Sequence, residues 1–235
     1  TQAHLLVLMQ LADQIQIPVI SVLDGFLMHP YASLFQLNKK GNKSLVSHIG
    51  VMGNASLKLF EKTELKKTKN ILIKCPIIVH YEKDFTQVTK LYSFLIIFPT
   101  GFSDNPECRW DFRFTYVINV LKLLSKLKVE GKIAIKFKKG TPIDNLDYDF
   151  LKKIVQNENP FLDVDFLFGH LYEVLPKTHS VIGQLSTSFA ESNFLQIPYY
   201  IYEPYEMGMV DSFVTDSFVR YDYVAREICE LEHNI

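Results

Sequence analysis

From Leu91 to Pro204 the chain alternates short, almost wholly apolar runs with longer segments whose apolar residues recur every three or four positions. LYSFLIIF (Leu91–Phe98), GKIAIKFKKG (131–140), VDFLFG (Val164–Gly169), Val181–Leu185 and Tyr199–Tyr202 read as strands. Phe112–Leu127, NLDYDFLKKIVQNEN (145–159), HLYEVLPK (170–177) and Phe189–Gln196 read as helices between them. Apolar runs that do not alternate belong to strands covered on both faces, the habit of parallel sheets. Five such strands alternating with four helices predict an α/β, doubly wound parallel sheet.

The last of these units, SVIGQLSTSFAESNFLQIPYYIYEP (Ser180–Pro204), carries the most chemistry. A turn of small hydroxyl residues, Ser186, Thr187 and Ser188, delivers a buried strand into the start of a helix. Unpaired backbone N–H groups and the helix dipole make that point a seat for an anion. The three hydroxyls are expected to add donors, and Glu191, one turn in, to accept from a ribose diol. The plainer alternative is that Ser186 or Ser188 caps the helix and Glu191 favours its N-terminus electrostatically.

The formal net charge of −1 provides no overall field to attract nucleic acid, so no nucleic-acid partner is expected. Cys75, Cys108 and Cys229 are odd in number, widely spaced and without a C-x-x-C pair, which indicates neither a disulfide framework nor a zinc site and fits a reducing compartment. The longest apolar runs fall well short of the roughly 20 residues a membrane helix needs.

Before Leu91 the pattern is looser. His4–Gln16 places Leu5, Leu8, Leu11, Ala12 and Ile15 on one expected core-facing stripe, ended by Pro18. IPVISVLDG (17–25) reads as a fully buried strand with Asp24-Gly25 at its carboxyl end. NKKGNKS (Asn38–Ser44) is a polar turn, LVSHIGVMG (45–53) a short strand, and Ile71–Val79, interrupted by Pro76, an edge strand. Tyr81–Lys90 reads as an interdomain connector. Asp211–Glu232 carries an apolar pattern suited to a bent terminal helix. The chain opens at Thr1 within a helical pattern, so the first domain is expected to be incomplete.

The order of pieces from Leu91 to Glu203 resembles the C-terminal nucleotide-binding domain of GT-B glycosyltransferases, particularly those that build bacterial capsule and lipopolysaccharide. The resemblance rests on Ile133–Lys139, on Val164–Gly169 with the short helix after it, and above all on Ser186-Thr187-Ser188-Phe189-Ala190-Glu191, followed by Ile197-Pro198-Tyr199-Tyr200. It covers about half the chain. Thr141-Pro142 stands where some relatives have His-Pro, and no Gly-rich loop precedes the Ser-Thr-Ser turn.

The resemblance implies two Rossmann-like domains: residues 1–85 as the later part of an acceptor-side domain, 86–210 as the nucleotide-sugar domain, and 211–235 as a closing helix. It implies nucleotide binding by Ser186, Thr187, Ser188 and Glu191, with Gly101 beside Thr100 at a strand end and His170 with Phe168 and Gly169 near the base; Lys136 and Lys138 alternate on one strand face, so one of them is a candidate charge partner for the diphosphate, solvated lysines on an edge being the plainer alternative. Arg109 and Arg113, flanking Trp110, are further phosphate candidates. For an inverting transfer, Asp24 and His29 are the expected catalytic bases, with His48 in reserve. The Glu203–Met209 loop is a candidate to touch the sugar, or equally a structural crossover to the closing helix.

The expected function is transfer of a sugar from a nucleotide-sugar donor to a surface-glycan or glycolipid acceptor. No metal or other cofactor is expected, the nucleotide-sugar donor being a substrate. The expected location is cytoplasmic, with peripheral contact at the inner membrane face through the basic stretches Lys58–Lys69 and Lys122–Lys139. Two other readings stay open: a sugar-nucleotide epimerase of the same fold, and a non-catalytic binding or scaffold domain.

Overall fold

The computed structural model describes residues 3–22, 39–40, 43–44, 46–52, 69–73, 81, 88–99, 110–137, 145–204 and 224–235. The chain divides into two compact units, one of residues 1–79 with 206–221 and one of 80–205 with 222–235.

In the first unit, helix α1 (Ala3–Gln14) precedes strand β1 (Ile20–Val22). Two-residue strands β2 (Lys39–Lys40) and β3 (Lys43–Ser44) pair antiparallel within the polar turn. Strands β4 (His48–Met52) and β5 (Lys69–Ile73) complete a three-stranded parallel sheet ordered β1-β4-β5. The segment ahead of Pro76 thus lies on an edge, as its proline requires. Two expectations fail here. Leu8 and Ile15 on the α1 stripe are 59% and 66% exposed, and Ile20 of β1, an edge strand, is 59% exposed. Periodicity identifies an apolar face but carries no information about what covers it.

The second unit runs β6 (Tyr92–Ile97), α2 (Trp110–Lys126), β7 (Lys132–Lys136), α3 (Asn145–Glu158), β8 (Val164–Leu167), β9 (Thr178–Gly183), α4 (Thr187–Phe194), β10 (Tyr199–Tyr202), β11 (Val224–Ala225) and α5 (Ile228–Asn234). Its six strands form one sheet, parallel throughout, in the order β11-β10-β9-β6-β7-β8. Counted within the unit this is the order 3-2-1-4-5-6 of the Rossmann-like doubly wound fold. The fold is therefore mixed α/β with a Rossmann-like parallel sheet.

Three local readings are corrected. HLYEVLPK is a pair of 3-10 turns, Leu171–Glu173 and Leu175–Lys177, because Pro176 has no N–H to continue a helix. Strand β9 starts at Thr178, ahead of the apolar run, since Thr178 and Ser180 pair with Tyr92 and Phe94 of β6. The closing segment, expected as a single bent helix, is in its described part a sixth strand and the short helix α5. Val224 pairs with Ile201 and Ala225 with Tyr202, and a two-residue strand leaves no periodic trace.

One face of the sheet presents Phe94, Ile96, Ile133, Ile135 and Ile182 to a core that Val117, Val120, Leu121 and Leu124 of α2 and Leu151 and Val155 of α3 close. The α2 stripe is the one its sequence spacing predicts. On the opposite face Leu95, Ala134 and Val181 are also fully buried, which accounts for strands without alternation. Lys122, Lys126 and Lys132, in one of the two stretches considered for headgroup contact, each pair with a carboxylate: Glu158 at 3.0 Å, Glu232 at 2.7 Å and Asp165 at 3.0 Å. Such exposed pairs contribute little stability. Among the described residues no helix is long and apolar enough to cross a membrane.

Tyr116 of α2 is fully enclosed, its ring 4.9 Å from that of Tyr202, and its hydroxyl has no hydrogen-bond partner among the described residues. A buried unsatisfied hydroxyl costs more than it returns. Tyr116→Phe is therefore expected to hold or raise stability by about 1 kcal/mol, measured by urea denaturation; a loss of that size would show that the hydroxyl is in fact satisfied.

Candidate functional site

Strand order reverses between β6 and β9: from β6 the sheet grows through β7 to β8, then on the other side through β9, β10 and β11. In open α/β sheets the connections from the two strands at such a reversal diverge to either side, and ligands bind in the crevice so formed. The structure has a cleft of about 390 Å³ at this point. Its walls are Ile97 and Phe98 after β6, Lys136 and Phe137 at the end of β7, Gly169 to Leu171 after β8, and Ser186, Thr187, Ser188 and Glu191 after β9. Seven residues singled out from the sequence, Ser186, Thr187, Ser188, Glu191, Lys136, Gly169 and His170, thus converge on one cavity.

Ser186 occupies the position before α4 with extended backbone, yet its side chain does not cap the helix. Its Oγ lies 2.6 Å from Ser188 Oγ, and Ser188 Oγ lies 3.0 Å from the Tyr199 hydroxyl. Tyr199 donates to the Gln184 carbonyl at 2.6 Å. Phe189 N–H donates to Ser186 O, which leaves the first N–H groups of α4, those of Thr187 and Ser188, at the mouth of the turn. Burial raises the Tyr199 pKa, so this hydroxyl keeps its proton.

The turn is anchored from below by Glu203, which stands at the end of β10 and is 3% exposed. Leu185 N–H donates to its Oε1 at 2.6 Å and the Gln184 amide donates to its Oε2 at 3.2 Å. Burial pushes its pKa up to about 7, against the opposing pull of these two donors and of the Arg226 charge. Of the two sequence readings of this segment, sugar contact or structural crossover, Glu203 itself takes a structural part, bonded to Leu185 and Gln184 beneath the hydroxyl turn.

Lys136 is 4% exposed on an interior strand, which rules out the plain reading of a solvated edge lysine. Its ammonium donates to Gly169 O at 2.8 Å and to Phe137 O. Burial lowers its pKa, and the Glu173 carboxylate partly offsets that. Gly169 adopts φ +112°, a conformation that disfavours side chains and brings its carbonyl onto the lysine. This places a buried cation, held by two neutral carbonyls, among the residues that line the cleft.

Glu191 is buried and accepts a hydrogen bond from the Tyr81 hydroxyl. Burial, and then the Glu191 charge, drive the Tyr81 pKa up. Tyr81 was read as the start of a polar connector. Instead it is enclosed, and Lys90 at the far end of that segment is tied to Thr178 O at 2.8 Å. Neither Tyr81 nor Tyr199 was singled out. Tyr81 sits in a polar stretch far from Glu191 in sequence, while Tyr199 reads as an ordinary strand residue whose hydroxyl is brought over Gly183 by the fold.

His170 stacks on Tyr172 with ring centroids 4.8 Å apart. Phe168 is not among the cleft residues; its ring lies flat on Phe137, centroids 4.9 Å apart. His48 is the first residue of parallel strand β4, the end of its sheet opposite to the ligand-binding edge, and its Nδ1 is 3.0 Å from Ser47 Oγ. Asp24, His29, Thr100, Gly101, Lys138, Arg109 and the 205–209 loop lie outside the described residues.

No family model matches the chain, and no curated protein matches it in sequence. The site therefore stands on its geometry.

Proposed function

We propose that the chain is a GT-B-like glycosyltransferase that seats the diphosphate of a nucleotide-sugar donor in this cleft and moves the sugar to a surface-glycan or glycolipid acceptor. The observation that carries the reading is the convergence of Lys136 with the start of α4 in a cavity at the point where the strand order reverses. In the proposed reaction the acceptor oxygen bonds to the anomeric carbon as the bond from that carbon to the diphosphate oxygen breaks. The acceptor proton passes to Asp24 or His29, the candidate bases of the first domain. Lys136 and the N–H groups of Thr187 and Ser188 stabilise the negative charge that grows on the departing diphosphate. Glu191, held by Tyr81, receives hydroxyls of the ribose or sugar. Work on a bacterial surface glycan would place the protein in the cytoplasm, at or near the inner membrane face.

Calorimetric titration with CMP, UDP, GDP, CDP and their sugar conjugates tests this. One nucleotide is expected to bind selectively, and Lys136→Met and Glu191→Ala to weaken it by roughly tenfold or more, the size of one hydrogen bond to a charged group. Failure of the folded protein to bind any of them sinks the donor site and leaves a scaffold domain as the better account.

A further inference from the structure

The hydroxyl turn contains a chain of hydrogen bonds whose direction follows from one member. The Gln184 carbonyl can only accept, so the Tyr199 proton, 2.6 Å away across that bond, is committed to it. Tyr199 Oη then has only lone pairs to offer Ser188, and Ser188 must donate across the 3.0 Å contact. Ser188 has a single proton. With that proton on Tyr199, the 2.6 Å contact between the serines requires Ser186 to donate to Ser188. Both serine protons are therefore held within the turn, and what the pair has left to offer a ligand is lone pairs.

We infer that Ser186 and Ser188 form a hydrogen-bond acceptor wall, oriented by Tyr199, that receives hydroxyl groups of the ligand rather than its phosphate oxygens. This inference rests on the transferase reading for the identity of the ligand, whose hydroxyls belong to a sugar or ribose. Phosphate oxygens meeting this wall would face lone pairs of like charge, so they are directed to Lys136 and to the backbone N–H groups at the start of α4. Glu191, on the same cleft, is a second acceptor, and the two together suit a polyol. Tyr199 acts through the serines and is a positioning residue. The raised pKa of its hydroxyl keeps the orienting proton in place across the ordinary pH range. A turn of three hydroxyl residues at a helix start reads in sequence as a cluster of phosphate donors; burial of Tyr199 beneath it reverses the polarity of two of them.

Inorganic pyrophosphate, which has acceptor oxygens and no sugar, is the probe. Tyr199→Phe removes the acceptor that holds the Ser188 proton and frees one proton of the serine pair to donate to an anion. It is expected to bind pyrophosphate roughly tenfold more tightly than the wild type, the scale of one added charge-assisted hydrogen bond. The gain should vanish in Tyr199→Phe/Ser186→Ala/Ser188→Ala, which leaves no serine proton to donate. Ser186→Ala, which takes lone pairs away from the anion, is expected to bind pyrophosphate at least as tightly as the wild type, and it decides the matter if Tyr199→Phe does not melt cooperatively. A folded Tyr199→Phe that binds pyrophosphate no better than the wild type, or a several-fold loss in Ser186→Ala, overturns the inference and leaves the donor site standing. Absence of pyrophosphate binding by the wild type and both variants removes the anion seat of the transferase reading, and this inference with it.

Discussion

Stability is expected to fall by about 3 kcal/mol as pH rises from about 5 to about 8, through the single carboxyl of Glu203. In the unfolded chain this group has an ordinary value of 4.5, and in the fold burial pushes it up to about 7. Between those two values the folded protein binds a proton that the unfolded chain has released. The contribution is fully present below about 4.5 and is lost as pH climbs through about 7. Above that the carboxylate is charged in an enclosed site, eased only by Leu185 N–H, the Gln184 amide and the Arg226 charge. Glu203→Gln keeps the shape and the acceptor for Leu185 N–H but cannot ionise; a flipped Gln184 amide satisfies the new NH2. Chemical denaturation of both proteins at the two pH values isolates the effect. Near-equal stability is expected at the acid end and a more stable variant at the alkaline end. Parallel pH dependence in the two would show that Glu203 does not titrate in this window.

The second large effect is expected at Gly183, where alanine costs about 3 kcal/mol and collapses the wall of the cleft. Gly183 is the last residue of β9, and a methyl group there would run into the Tyr199 hydroxyl, with Tyr199 Cζ and Ile97 Cβ both at 3.1 Å. The hydroxyl is not free to step aside: it is bonded to Gln184 O and Ser188 Oγ. Overpacking and the loss of buried hydrogen bonds therefore add. Urea denaturation of Gly183→Ala measures the sum, and the double variant Gly183→Ala/Tyr199→Phe, which removes the atom most directly in the way, is expected to recover about 1 kcal/mol of it. Wild-type stability in Gly183→Ala would mean that the Tyr199 ring has room the structure does not indicate.

Local pattern accounts for a large part of this protein. Continuous apolar runs identified β6, β7, β8, β9 and β10, because strands of a parallel sheet are covered on both faces. The 3.6-residue stripe of α2 and the hydroxyl turn at Ser186 were legible for the same reason: their signals lie within a dozen neighbouring residues. The composition of the turn was also enough to mark the start of a helix. What the sequence could not contain was direction and company. The reversal of strand order that opens the cleft, and the pairing of β11 with β10, depend on contacts between segments far apart in the chain. So do the meeting of Tyr81 with Glu191 and the burial of Lys136 against Gly169 O. A polar residue's role is set by the partner that satisfies it, and for Glu203, Tyr199 and Ser186 that partner is chosen by tertiary packing. The residue types made a ligand site readable; packing alone decided which of their atoms donate, which accept, and which carboxyl lies beneath the turn.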